Sequence, residues 1–153
     1  MHETEALHIR RLTAEDLEPL HRLLSDPAVM RYLEPPFTRA QTEAFLQKAG
    51  MGREPLIWAV EDGRGFAGYV IYHPYDETSM ELGWVLASDR WGRGYALALT
   101  RQMICRARES GRDAVIECHP QQAATRNIAE KLGFRPCGMD GGCCVYRLAG
   151  KNE

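Results

Sequence analysis

Six residues, Trp91-Gly92-Arg93-Gly94-Tyr95-Ala96, join an apolar strand-like run to a long amphipathic helical pattern, and their chemistry is anion binding. The first N–H groups of a helix have no intrahelical partners and carry the positive end of its dipole, so they attract an anion placed just outside them. Gly92 and Gly94 remove the Cβ atoms that would hold a diphosphate off that backbone, and Arg93 adds a flexible positive charge. An ordinary glycine turn opening a helix would use the same residues. A second chemical group precedes the loop. Glu81 stands in the otherwise apolar run Met80-Glu81-Leu82-Gly83-Trp84-Val85-Leu86, where loss of water raises a carboxyl pKa toward the range of a base working near neutral pH. An edge-exposed or salt-bridged glutamate is the plainer account.

Other reactive side chains form no pattern. The five histidines make no coherent site; His119, at the end of a strand, is the best placed. The cysteines, Cys105, Cys118, Cys137, Cys143 and Cys144, are odd in number and lack C-x-x-C spacing. That argues for reduced thiols rather than a disulfide framework or a zinc site, and no metal is expected. With 153 residues, 44% hydrophobic and 26% charged, and a net charge of −2, the composition suits one globular domain over 1–153. It gives no cause to expect a nucleic-acid or membrane partner. No apolar run approaches the roughly 20 residues of a membrane span, and the first residues lack signal-peptide order, so a cytoplasmic location is expected.

The elements that position these groups follow from periodicity and punctuation. Residues 7–12 alternate as an edge strand, and Thr13 with Asp16 opens a helix carrying Leu17, Leu20 and Leu24. A short segment, 28–33, ends at Pro35-Pro36. Thr38 and Gln41 then form a capping box for a helix with Ala44, Phe45 and Ala49 as its apolar positions. Strands at 56–60 and 66–72 flank the hairpin signal Asp62-Gly63-Arg64-Gly65, and a polar loop over 74–79 leads to a third strand at 80–86. After the glycine loop, Ala96, Leu99, Met103, Ile104 and Ala107 mark one helix face, with Arg101, Arg106 and Arg108 opposite, until Gly111. The strand at 114–118 returns parallel to 80–86 by a right-handed crossover. A helix at 123–132 stops at Gly133, and strands at 134–137 and 144–148 close the chain. The expectation is an α/β (α+β) fold with a mixed, mostly antiparallel sheet.

The loop 91–96, followed by a long helix, a strand, a short helix and Glu130-Lys131-Leu132-Gly133-Phe134, resembles the GNAT superfamily of acetyl-CoA-dependent N-acetyltransferases, specifically its RimJ/RimL-type branch. The resemblance begins at Ile9-Arg10-Arg11-Leu12 and covers essentially the whole chain. It implies a sheet whose central strands splay, with helices on both faces. It also implies that amides over Gly92 to Ala96 bind the pyrophosphate of acetyl-CoA, and that backbone groups at Val85 and Leu86 bind its pantetheine arm. Trp91 replaces the Gln or Arg that commonly opens the family's Q/R-x-x-G-x-G/A element.

The same resemblance makes Glu81 the candidate base for an amine acceptor. The tyrosine that many members use as general acid is Ala129 here, so that mechanism does not carry over. In place of the branch's Asn-x-x-Ser stand Gln122 and Thr125: the amide could hold pantetheine and the hydroxyl could protonate the leaving thiolate, although a helix N-terminal threonine often bonds only its own backbone. Arg126 could reach the adenosine phosphates or remain a solvated helix charge. Arg31, Tyr32 and Glu34 lie in the segment that covers the acceptor in such folds. The short final hairpin suits a protein N-terminus as acceptor, and a small amine captured across a homodimer fits equally well. A catalytically silent acyl-CoA-binding or regulatory domain is the alternative. A nicotinamide site is disfavoured because the third glycine position of its fingerprint is Leu97.

Overall fold

In the computed structural model, which describes residues 6–150, the elements run β1 (His8–Arg10), α1 (Leu17–Leu24), α2 (Pro27–Met30), α3 (Arg39–Phe45), β2 (Ile57–Asp62), β3 (Gly65–Asp76), β4 (Ser79–Leu86), α4 (Tyr95–Glu109), β5 (Asp113–Cys118), α5 (Ala123–Lys131), β6 (Arg135–Asp140) and β7 (Cys143–Leu148). Seven strands form a sheet in the order β1-β2-β3-β4-β5-β7-β6. The β1–β2, β2–β3, β5–β7 and β6–β7 pairs are antiparallel, and β4–β5 is parallel. This is the mixed, mostly antiparallel α/β fold that the periodicities imply, with α4 as the crossover between the parallel strands. The chain divides into two compact units: one takes in the chain through Ile71 together with Trp84–Tyr95, the other Tyr72–Gly83 together with the chain from Ala96 onward.

In the first unit, α1 follows a short 3₁₀ turn whose entry is fixed by Asp16. The Asp16 carboxylate accepts the Thr13 N–H at 2.8 Å and both terminal nitrogens of Arg10 at 2.8 and 2.9 Å. Leu20, Leu23 and Leu24 then face the core with Met30, Leu46, Ile57 and Tyr69. Each fully buried leucine contributes about 1.5–3 kcal/mol. The Thr38–Gln41 capping box forms in both directions, at 2.8 and 3.1 Å. Its helix differs from expectation in one respect, since Ala44 is exposed. Thr42 takes the buried position, its hydroxyl donating to the Thr38 carbonyl at 2.9 Å, and a wider π turn over Leu46–Gly50 rotates Leu46 and Ala49 inward.

The second unit corrects another expectation: the polar stretch 74–79 is not a loop. β3 runs on to Asp76, and β4 begins at Ser79. The intervening turn is closed by Asp76, whose Oδ1 accepts the Thr78 N–H at 2.9 Å and the Ser79 hydroxyl at 2.7 Å. Side-chain bonding of this kind replaces a longer connection. On α4, Leu99, Met103, Ile104 and Ala107 are buried while Arg101 and Arg106 are exposed. Gly141 and Gly142, both at positive φ, make the two-residue turn of the last hairpin. The parallel ladder pairs Ser79↔Asp113, Met80↔Ala114 and Glu81↔Val115. Among the described residues, no helix is long and apolar enough to cross a membrane.

Candidate active site

The glycine loop has the backbone an anion cradle requires. Gly92 and Gly94 adopt φ of 76° and 80°, a left-handed geometry that L side chains rarely enter, and a Cβ at either would project into open space. Trp91, Gly92, Arg93 and Gly94 are exposed, and α4 follows at once for 15 residues. The loop is also clasped at both ends by one carboxylate. Asp62 accepts from Arg90 Nε at 2.7 Å and Nη2 at 3.1 Å, and from the Tyr95 hydroxyl at 2.8 Å. Arg90 precedes the loop's tryptophan, and Tyr95 is the first residue of α4. Arg90, with the Arg64 N–H and Tyr95 assisting, holds the Asp62 carboxyl well below the usual carboxylate range despite its burial. Tyr95 therefore offers the loop its backbone, its side chain being buried in this cluster.

Trp91 is 51% exposed. Its Nε1 donates to the Leu86 carbonyl at 3.0 Å, which fixes the ring against the end of β4. Val85 and Leu86 are buried, so what they present is backbone.

In the second unit, Glu81 is half-buried on β4. Burial pushes its carboxyl above the ordinary carboxylate value, Glu117 pushes the same way, and His73 opposes both. His73 Nε2 lies 3.8 Å from Glu81 Oε1. On α5, Thr125 and Arg126 sit half-buried in the first turn. Arg126 is engaged by the fold, donating to the Pro120 carbonyl at 3.0 Å and to the Tyr146 hydroxyl at 3.3 Å. Gln122 Oε1 accepts the His119 N–H at 2.9 Å, so this amide oxygen shapes the end of β5. Burial raises the Cys118 thiol to about 11.

A family model described as an acetyltransferase (GNAT) domain matches residues 6–135. The chain belongs to the GNAT acetyltransferase family. This GNAT chain is 26% identical over 141 residues to the uncharacterised N-acetyltransferase YnaD of Bacillus subtilis, covering 89% of this chain and 83% of that protein. The GNAT-family acetyltransferase structure from Bacillus anthracis superposes with a TM-score of 0.80 at 25% identity, covering 97% of each chain. A spermidine N-acetyltransferase structure from Vibrio cholerae shares the fold, with a TM-score of 0.75 at 22% identity and 93% of each chain covered. The protein is thus an N-acetyltransferase by family.

Within this GNAT chain, the segment expected to cover an acceptor forms a pocket of about 350 Å³, lined by Pro27, Met30, Arg31, Leu33, Glu34, Pro35 and Pro36. Arg31 and Glu34 are therefore brought together, while Tyr32 carries the Arg31 guanidinium 5.0 Å from its ring centroid. The sequence assigns no site role to Asp62, Arg90 or His73. Asp62 reads as part of a hairpin signal, and Arg90 sits in a run of exposed-looking polar residues. No spacing rule ties either to Tyr95. For His73, only the odd-numbered face of β3 beside Glu81 could have pointed to it, and strand pairing is needed to see that.

Proposed function

We propose that this chain moves an acetyl group from acetyl-CoA directly to a primary amine. The observation that carries the proposal is the exposed loop with Gly92 and Gly94 in left-handed backbone at the N-terminus of a 15-residue helix. Converging amides from Gly92 to Ala96, aided by Arg93 and beside Trp91, suit a diphosphate. Backbone groups of Val85 and Leu86 would take the pantetheine amides, with Gln122 and Arg126 as further contacts. The Vibrio cholerae neighbour was solved with CoA and spermine, which supports both the donor and the amine class. Acetyl-CoA supplies an activated thioester. We read the two units as parts of one acetyltransferase domain over 1–153, because the family match spans both. The RimJ/RimL-type branch is proposed from Trp91 and the Gln122/Thr125 pair.

Glu81 accepts the proton of the incoming ammonium, which only a neutral amine can follow with attack. Burial suits it to that role by raising its proton affinity. Thr125 is the candidate donor to the leaving sulfur. Cys118, protonated at neutral pH, offers no thiolate for an acyl-enzyme, in keeping with direct transfer. Arg31 and Glu34 line the proposed acceptor pocket, with Tyr32 against the Arg31 guanidinium, and Glu34 attracts a cationic amine. The acceptor is a protein N-terminus or a small amine, the latter taken singly or across a homodimer.

Thermal unfolding with acetyl-CoA, with NADH as control, tests the donor. Ligand at 100 times its dissociation constant stabilises by about 2.7 kcal/mol, a midpoint rise of roughly 5–10 °C for this chain length. No rise with acetyl-CoA would sink the cradle assignment. Gly94→Asp places a carboxylate where the phosphates would lie and should weaken acetyl-CoA binding at least tenfold by calorimetry; unchanged affinity counts against the loop.

Screening amines for CoA release then identifies the acceptor. With that amine, Glu81→Gln should lower kcat/KM by about 10²-fold near pH 7, within the range typical of general base catalysis. The defect should shrink as pH rises and the amine loses its proton unaided. A pH profile parallel to that of the parent enzyme would remove Glu81 from the mechanism.

A further inference from the structure

His73 on β3 is a titratable group that the reaction above leaves unused, and its two ring nitrogens have unlike surroundings. Nδ1 lies 2.9 Å from the Pro74 carbonyl oxygen. A carbonyl oxygen only accepts, so Nδ1 carries a hydrogen whatever the charge of the ring. Nε2 must then present either a lone pair or a second N–H, and it faces Glu81 Oε1 at 3.8 Å, with 23% and 25% of the two side chains exposed. A bare Nε2 opposite an ionised carboxylate sets two electron-rich atoms against each other. One proton, on either atom, removes the conflict.

The remaining charges around Glu81 favour keeping that proton. On β5, Val115 pairs with Glu81 and Glu117 lies two residues on, so it shares that face of the sheet. Glu117 accepts the hydroxyl of Tyr75 from β3, which helps raise the Tyr75 hydroxyl to about 12. Asp140 from β6 adds a further negative charge toward Tyr75. His73 acts on Glu81 in the opposite sense to Glu117.

We propose that His73 and Glu81 form a one-proton pair, in which His73 is a positioning residue that takes over the proton Glu81 removes from the amine. With the pair's proton on Nε2, the imidazolium first gives it to water; the N–H bond of the ammonium then breaks as an O–H forms on Glu81, and that O–H breaks as an N–H forms at Nε2, restoring the one-proton pair. The Nδ1 hydrogen stays on the ring throughout, donated to the Pro74 carbonyl. Closing 3.8 Å to hydrogen-bond length requires about 1 Å of side-chain rotation. The pathway rests on Glu81 being the base, so the test is chosen not to depend on turnover.

The full chain, labelled with ¹⁵N in histidine and ¹³C in the glutamate carboxyl, is titrated by NMR without ligand, as parent, Glu81→Gln and His73→Gln. Neutral His73 should show the Nδ1–H tautomer. The Glu81 carboxyl midpoint should rise in His73→Gln, because the partner that holds it down is removed. An Nε2–H tautomer, or an unmoved Glu81 midpoint in His73→Gln, overturns the pair. Loss of the Glu81 base assignment would show separately, as full transfer rate in Glu81→Gln with that shift intact.

Discussion

Asp62→Ala is expected to destabilise the protein by about 3–5 kcal/mol, lowering its thermal midpoint by roughly 10 °C or more. The effect comes less from the lost bonds than from what they leave behind. Arg90 is only 7% exposed, and its remaining carboxylate partner, Asp89, has a side chain 65% exposed to water and can compensate it only weakly. The Tyr95 hydroxyl loses its bond to Asp62 in the same stroke. Replacing the charge pair as a whole, Asp62→Leu with Arg90→Met, should recover more than half of the loss, because an uncompensated buried charge costs more than a missing pair. Additive damage in the double variant would refute that account. The pH dependence has a fixed sign. A carboxyl held below its unfolded value contributes stability that is present above the unfolded pKa, about 3.9, and is lost as pH falls toward the depressed native one. Parent and Asp62→Ala should therefore converge only in strong acid. Since Asp62 clasps both flanks of the glycine loop, the variant should also bind acetyl-CoA more weakly.

What the chain disclosed in advance depended on how local the determining interaction is. The Thr38–Gln41 box, the Gly133 stop and the Asp62-Gly63-Arg64-Gly65 hairpin are decided within a few residues, and each forms as expected. The parallel return of β5 was legible because a strand, a long helix and a strand allow essentially one handedness of crossover. Pro74 misled because proline usually marks the end of a strand, whereas here Asp76 gathers the turn two residues later. Ala44 misled because helical spacing was extended through a segment that in fact widens into a π turn. At the site, the glycine loop and Glu81 were visible as residue types. Their supports, Asp62 with Arg90 and His73 with Glu81, join residues 28 and 8 positions apart on different elements. Such pairs have no period, and the fold alone reveals them.

Gly68→Ala should be at least as damaging, through backbone sterics instead of charge. At this point β3 carries a bulge: Val60 pairs with Gly68 and Glu61 with Phe66, leaving Ala67 as the extra residue, and Ala67 accepts the Ala87 N–H at 2.9 Å. Gly68 itself has φ of 149°, and a Cβ built on it would stand 2.2 Å from the Val85 carbonyl oxygen and 2.9 Å from the Leu86 Cα. Both contacts are with backbone, so no side chain can swing aside. Overpacking and the unfavourable φ together cost about 3–5 kcal/mol, and any relief must come from β4 moving away. Val85 and Leu86 are the residues whose backbone is proposed to receive pantetheine, so the fraction that folds should bind acetyl-CoA more weakly still. Denaturant unfolding measures the first loss. Calorimetry with CoA and with 3′,5′-ADP separates the second: the pantetheine-bearing ligand should lose far more affinity than the nucleotide that reaches only the phosphate end. Equal losses for both would mean the damage is general and that β4 is not the pantetheine strand.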